Sequence, residues 1–264
     1  MLSSDLKAAL DWEAHKADPV LWVHDHGLLL DKTGAPAILD SVQSQILLSR
    51  HKRIIINCHR QWGKSQVSSF LCLHTAIFRP RSLSLLVSPS LRQSSENFRK
   101  VLDALNLGDR PELEEDTKLS LKLSNGSRIV ALPGSQRTIR GFSAPDLIVI
   151  DEDGQAEDEL FEAVYPMLTS NPNGRMILAS TPWLPSGHFH KIWTGESNGW
   201  LKICIKASQN PRLTPEIIAE ARLQLSPQAF ARDYECEFVE PEGQIFSSEL
   251  FKSLANPNIA AMKI

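Results

Sequence analysis

The chain has no apolar run approaching the roughly 20 residues that a membrane-spanning helix requires. Its first residues, Met1-Leu2-Ser3-Ser4-Asp5-Leu6-Lys7, lack the charged-then-apolar profile of a secretion signal. These absences predict a globular protein that stays in the cytoplasm and has no membrane partner. Cysteine is sparse. Cys58, Cys72, Cys204 and Cys236 stand far apart, with no C-x-x-C spacing and no companion histidines at metal distances, which argues against a zinc module and predicts reduced thiols. A basic excess is missing too: the net charge is −3 and the pI near 6.2, so any nucleic-acid contact has to be local. Repeats and low-complexity runs are absent, and the histidines are scattered. His188 and His190 flank Phe189, a spacing that does not face one way on a helix, so no metal site is expected there. With 42% hydrophobic side chains over 264 residues, the chain can bury one large core, with or without a small subdomain.

What is present is a phosphate-binding pattern with one piece missing. The apolar run Arg53-Ile54-Ile55-Ile56-Asn57 leads into Cys58-His59-Arg60-Gln61-Trp62-Gly63-Lys64-Ser65 and then a helix-like segment. A strand, a tight loop ending Gly-Lys-Ser and a helix make a cradle whose backbone N–H groups face anionic oxygens. Cys58 stands where the P-loop pattern has its first glycine, and alone the triplet could mark an ordinary helix start. A second segment changes that reading. Asp146-Leu147-Ile148-Val149-Ile150-Asp151-Glu152 is an apolar strand ending in two carboxylates, the form of a Walker B motif. Nucleotide hydrolysis needs one carboxylate for Mg²⁺ and another to polarise the attacking water, which assigns Asp151 to the metal and Glu152 to the base.

The periodicity predicts helices over 5–16 and near 38–50, with irregular chain over 20–36. A βαβα rhythm follows: strand 53–58, helix 64–78, strand 83–88 and helix 91–105. Asn125-Gly126 predicts a hairpin between the short strands Ser120–Leu123 and Ser127–Leu132. A strand over 147–151, a helix near 157–169 and a strand over 175–181 complete an α/β central sheet, and loops rich in Pro and Gly come next. After Trp200 come a strand (Leu201 to Ala207) and two helices, announced by Thr214-Pro215-Glu216 and Ser226-Pro227. The division expected is a core over 1–204, a lid-like subdomain over 205–245 and a linker over 246–264.

With the loop, the acidic strand and Ala179-Ser180-Thr181-Pro182 in place, the chain resembles the ATPase domain of the large terminase subunit, the DNA-packaging motor of tailed bacteriophages. The resemblance runs from about Gln43 to Phe238. Its most specific element is the deviant Walker A loop, because terminases lack the first glycine and carry an arginine before Gly-Lys-[ST], as Arg60 does here. It implies a P-loop NTPase of the ASCE, RecA-like kind: a mostly parallel sheet flanked by helices, with a small C-terminal lid. ATP and Mg²⁺ are the implied cofactors. Residues 58–65 (Cys58, His59, Arg60, Gln61, Trp62, Gly63, Lys64, Ser65) would then wrap the nucleotide. Lys64 would grip the β- and γ-phosphates, Ser65 and Asp151 would hold the metal, and Glu152 would be the catalytic carboxylate. Ser180 and Thr181 match the coupling motif. Gln43 looks like the adenine-reading glutamine, with Gln45 as a substitute and an exposed helix glutamine as the alternative for either.

An arginine has to meet the charge developing on the γ-phosphate, in cis or from a neighbouring subunit. Arg60 and Arg140, the latter in Gln136-Arg137-Thr138-Ile139-Arg140-Gly141-Phe142, are the candidates, and Arg140 is preferred as the finger. Arg137 reads equally as a catalytic arginine or as a surface or DNA-backbone contact. Arg92, Arg99 and Lys100, on the helix after Ser88-Pro89-Ser90, are the candidates for sequence-independent DNA contact, with a solvated helix face as the alternative. The implied partners are double-stranded DNA, the portal protein, the small terminase subunit and further copies of the chain in a pentameric ring. The implied location is the host cytoplasm and not the mature virion.

Two other readings compete. A superfamily 2 helicase fragment shares Gly-Lys-Ser, Asp-Glu and Ser-Thr, but would need a second RecA-like domain, and Asp151-Glu152-Asp153-Gly154 lacks the usual helicase ending. A nucleotide-dependent switch without turnover is disfavoured by Glu152. Large terminases continue into a nuclease domain; no further acidic cluster is found before Ile264, so no DNA cleavage is expected of these residues.

Overall fold

The computed structural model describes residues 3–31, 33–108, 111–134, 139, 141–196 and 199–240. Its centre is an eight-stranded sheet formed by β1 (Arg53–Cys58), β2 (Leu83–Ser88), β3 (Leu113–Asp116), β4 (Ser120–Leu123), β5 (Arg128–Pro133), β6 (Leu147–Asp151), β7 (Arg175–Ser180) and β8 (Leu201–Ile205). The strand order is β3-β4-β5-β2-β6-β7-β1-β8. β5, β2, β6, β7, β1 and β8 pair in parallel, and β4 runs antiparallel to both of its neighbours.

Parallel strands covered on both faces read as continuous apolar runs, and this explains Ile54-Ile55-Ile56 and Leu147–Ile150. Successive side chains still alternate between faces. Ile54, Ile56, Val149 and Ile177 face a layer formed by α2 (Pro19–Asp25), α3 (Ser41–Leu48), α4 (Lys64–Phe78) and α5 (Leu91–Leu107). Ile55, Ile148, Ile150 and Leu178 face α6 (Asp158–Val164), a 3-10 turn over Tyr165–Ser170, and α7 (Gly187–Thr194). α1 (Ser4–Ala17) lies outside the first layer and has no buried residue. Beyond β8 come α8 (Pro215–Gln224) and α9 (Pro227–Asp233), each opened by a capping hydroxyl and a proline in the first turn. The chain then returns to the second layer at Phe238. At the opposite edge β3 exposes Glu114, Glu115 and Asp116.

The expected strands and the main helices form close to their expected bounds. Four points differ from the expectations. Residues 19–25 are helical, because Asp18 caps the N–H groups of Val20 and Leu21 while Pro19 presets the first turn. Residues 187–194, placed among loops, form α7. The strand β3 was not foreseen, since Leu113-Glu114-Glu115-Asp116 is polar and pairs only along one side. The expected helix near 157–169 stops at Val164, and Pro166 lies in the first turn of the 3-10 segment that follows. The tail expected as a linker, 246–264, lies outside the described residues.

Candidate nucleotide-binding site

β1 and β6 end side by side with only β7 between them, so their C-terminal loops share one crevice. Gly63 turns the chain from β1 into α4 at φ +111°, and α4 starts with no side-chain cap on its first N–H groups. Uncapped N–H groups at a helix start, with the positive end of the helix dipole behind them, suit an anion. A Cβ at Gly63 would stand 3.0 Å from Gln43 Nε2, so the loop and that glutamine touch. Gln43 is buried, and its Oε1 accepts the Asp40 backbone N–H at 3.0 Å. Asp40 Oδ2 in turn accepts the Trp62 indole N–H at 2.9 Å, which ties α3 to the loop. Gln45 is exposed and lines a separate groove with Leu48, Arg50, His51 and Leu201, leaving Gln43 as the glutamine at the loop.

Across the crevice, Lys64 Nζ lies 2.7 Å from Glu152 Oε1, and the two side chains are only 10% and 23% exposed. Burial works to lower the Lys64 pKa, but the Asp151 and Glu152 carboxylates outweigh it and hold the ammonium above its ordinary value. Ser65 Oγ donates to Asp151 Oδ2 at 2.8 Å. The same oxygen accepts a 2.8 Å hydrogen bond from Asn97 Nδ2 on α5, and that amide also lies 2.9 Å from Ser88 Oγ at the end of β2. Glu152 sits at φ 57°, ψ 35°, a left-handed conformation uncommon outside glycine and concentrated at functional sites.

Cys58, in the place of the missing glycine, is buried, and burial pushes its thiol up to about 12, so it packs as a small apolar side chain. His59 is buried as well. Burial lowers its pKa, its Nδ1 lies 2.7 Å from the Arg60 carbonyl and its Nε2 lies 3.1 Å from Asn210 Nδ2. Arg212 closes the link from beyond β8 by donating to the Trp62 carbonyl and to Asn210 Oδ1. Gln61 is exposed at φ 63°. Arg60 points toward α9: its backbone N–H donates to the Asp233 carbonyl at 2.9 Å and its guanidinium lies 3.6 Å from Asp233 Oδ2. Ser180 and Thr181 are buried against the acidic turn, where a Cβ at Gly154 would stand 2.9 Å from Ser180 Oγ and 3.1 Å from the Thr181 carbonyl. Arg137 and Arg140 lie outside the described residues.

The three basic residues of α5 do not share one environment. Arg92 is exposed, and Arg99 is exposed and paired with Glu96 at 2.6 Å. Lys100 is half-buried; burial lowers its pKa, while Asp151 works to raise it. Asn97 was not anticipated, although a polar residue in the buried stripe formed by Phe98, Val101, Ala104 and Leu105 was a legible sign. Arg212, Asn210 and Asp233 carried no comparable sign, because their partners lie far away in sequence.

The family model for the N-terminal part of the T4likevirus-type terminase large subunit matches residues 55–253. The chain belongs to this family. Its terminase domain is 24% identical to the terminase large subunit of Escherichia phage T5 over 206 residues, 75% of this chain and 47% of that protein. The chain thus spans about half the length of that curated relative. Among solved structures, the large terminase ATPase domain of Thermus phage P74-26 matches with a TM-score of 0.66 and 20% identity, over 76% of this chain and 94% of that one. The large terminase of bacteriophage HK97 matches with a TM-score of 0.70 and 17% identity, over 84% and 55%. The fold is therefore that of these terminase structures, a mostly parallel sheet flanked by helices, with the deviant loop and the acidic pair at the ends of β1 and β6.

Proposed function

We propose that this chain is the ATP-hydrolysing portion of a viral DNA-packaging motor. The observation that carries the reading is the convergence of Lys64, Ser65, Asp151 and Glu152 at the ends of β1 and β6, where Lys64 meets Glu152 and Ser65 meets Asp151. Lys64 supplies the cation for the β- and γ-phosphates, and the open N–H groups of α4 supply oriented dipoles. Glu152 accepts a proton from, and orients, the water that attacks the γ-phosphate. The hydroxyl of Ser65 and the carboxylate of Asp151 form an all-oxygen donor pair that suits Mg²⁺, which would neutralise charge on the phosphate oxygens. Gln43, beside Gly63, is positioned to read the base.

Residues 205–245 act as the lid in this reading. Asn210 and Arg212 join the lid to the Walker A loop, and Asp233 joins it to Arg60, so lid and loop shift together. Arg60 acts in cis and Arg140 is the finger offered to a neighbouring subunit in a ring on the portal. Arg92 and Arg99 contact double-stranded DNA, and Ser180 and Thr181 pass the state of the γ-phosphate to the lid. Relatives in the same family are large terminase subunits, which supports the packaging role.

Steady-state hydrolysis per subunit across a wide protein concentration range tests the reading, with Glu152→Ala as the blank. A specific rate that climbs with concentration and vanishes in the blank fits an assembling motor with a finger in trans. A flat, Glu152-dependent rate places the arginine in cis. Turnover that persists in Glu152→Ala removes the assignment of the base.

A further inference from the structure

The acidic turn after β6 does not end at Glu152. Asp153 is fully buried, and both of its carboxylate oxygens lie 2.9 Å from His188 Nε2. The other ring nitrogen lies 2.9 Å from Asp158 Oδ1, the oxygen that also accepts the His188 backbone N–H at 2.6 Å. Phe161 covers the ring, stacked at 16° with centroids 4.8 Å apart. Each ring nitrogen thus meets a carboxylate, and the imidazole bridges the two. His188, in the first turn of α7, therefore joins the turn after β6 to the start of α6.

Glu152 is the residue that this joint bears upon. Its left-handed backbone is strained for a residue with a side chain and persists only where the surroundings over-determine it. On one side the chain is fixed by Asp151 in the sheet. On the other side it is fixed by Asp153 in the His188 clamp, with Gly154 pressed against Ser180 and Thr181.

We propose that His188 is a positioning residue for Glu152: by holding Asp153 it fixes the left-handed turn that sets the Glu152 carboxylate beside Lys64. The proposal rests on the reading of Glu152 as the base. The clamp also has a neighbour on its far side, because the rings of Phe189 and His190 in α7 lie 6.1 Å and 4.8 Å from that of Phe238 in the segment following α9. One helix thus touches both the turn that carries the base and the chain leaving the lid.

The test compares His188→Ala, His188→Gln and Asp158→Asn in the full chain, with Glu152→Ala as the reference for a missing base. Fluorescent-ATP binding, kcat, KM for ATP and the unfolding midpoint are measured for each. His188→Ala should lower kcat by about tenfold to a hundredfold with binding and KM within about twofold, as a displaced catalytic group does. His188→Gln, which can still donate to Asp153, should recover part of the rate. If His188→Ala does not fold, Asp158→Asn, on the partly exposed side of the clamp, should show a smaller fall in kcat alone. A normal kcat in a folded His188→Ala or Asp158→Asn, with or without a lower midpoint, overturns the proposal, as does a parallel loss of binding. Full turnover in Glu152→Ala would remove the base assignment and the proposal together, whereas a dead Glu152→Ala beside a normal His188→Ala removes only the proposal.

Discussion

Lys64 Nζ is 2.7 Å from Glu152 Oε1, so the cation proposed for phosphate is already held by the carboxylate proposed as the base. A triphosphate reaching Lys64 has to compete with that carboxylate. Glu152→Gln should therefore bind ATP about fivefold more tightly, equivalent to roughly 1 kcal/mol of released pairing, while turnover falls by about 10³-fold. Titration with a fluorescent ATP analogue beside a phosphate-release assay measures both. Unchanged or weaker binding would show that the pair does not oppose the nucleotide.

Asp151 is aimed from two sides, by Ser65 and by Asn97. Removing the amide leaves the carboxylate free to swing, and a partner that orients a metal ligand is worth about 10- to 100-fold in metal affinity. Asn97→Ala should raise the Mg²⁺ concentration for half-maximal turnover by about tenfold and lower stability by about 1–2 kcal/mol, since Asp151 and Ser88 lose a buried donor. A Mg²⁺ titration and a urea midpoint check this, and chelation of Mg²⁺ should stop turnover in every variant.

Gly63 combines φ +111° with a neighbour 3.0 Å from where a Cβ would stand. Gly63→Ala should cost about 1–2 kcal/mol of stability through backbone strain and displace Gln43. ATP binding should weaken more than tenfold, by the same titration. Retained affinity would mean that the loop tolerates a side chain at its turn.

The four thiols should separate by pH. Hydrogen bonding with the neighbouring Cys236 thiol draws Cys204 down to about 7, and Cys204 is exposed on β8. Cys58 and Cys72, fully buried, are pushed up to about 12 by burial. Because the thiolate is the reactive form, brief alkylation should modify Cys204 at a rate that rises as pH passes through about 7, with Cys58 and Cys72 unmodified until the chain unfolds. Peptide mass spectrometry reads the sites. Rapid native labelling of Cys58 would contradict its place inside the loop.

The candidate crevice was legible because its parts are contiguous in sequence. Gly63-Lys64-Ser65 and Asp151-Glu152 each follow a strand whose apolar run is unmistakable, and two such strand ends in one parallel sheet face the same side. Contacts made by folding alone were not legible. Asn97 reaches Asp151, Arg212 reaches Trp62 and His188 reaches Asp153 across many residues, so local spacing says nothing of them. The i, i+2 spacing of His188 and His190 led away from a shared site, and the structure explains why: His188 turns inward to two aspartates while His190 turns to Phe238. α2 was hidden because Asp18 and Pro19 sit amid residues with weak helical periodicity. β3 is held by pairing with β4 rather than by an apolar pattern of its own.

The strand that closes the sheet on the β3 side exposes Glu114, Glu115 and Asp116 in a row. An open strand edge invites another chain to stitch on by backbone hydrogen bonds, and a run of carboxylates repels such an approach. Copies of this chain crowded together are thereby kept from fusing at that edge into one continuous sheet. In the proposed ring, contact between copies would then leave that edge free, and contacts made by side chains on loops and helices could part and re-form with each round of turnover, whereas a stitched sheet would lock.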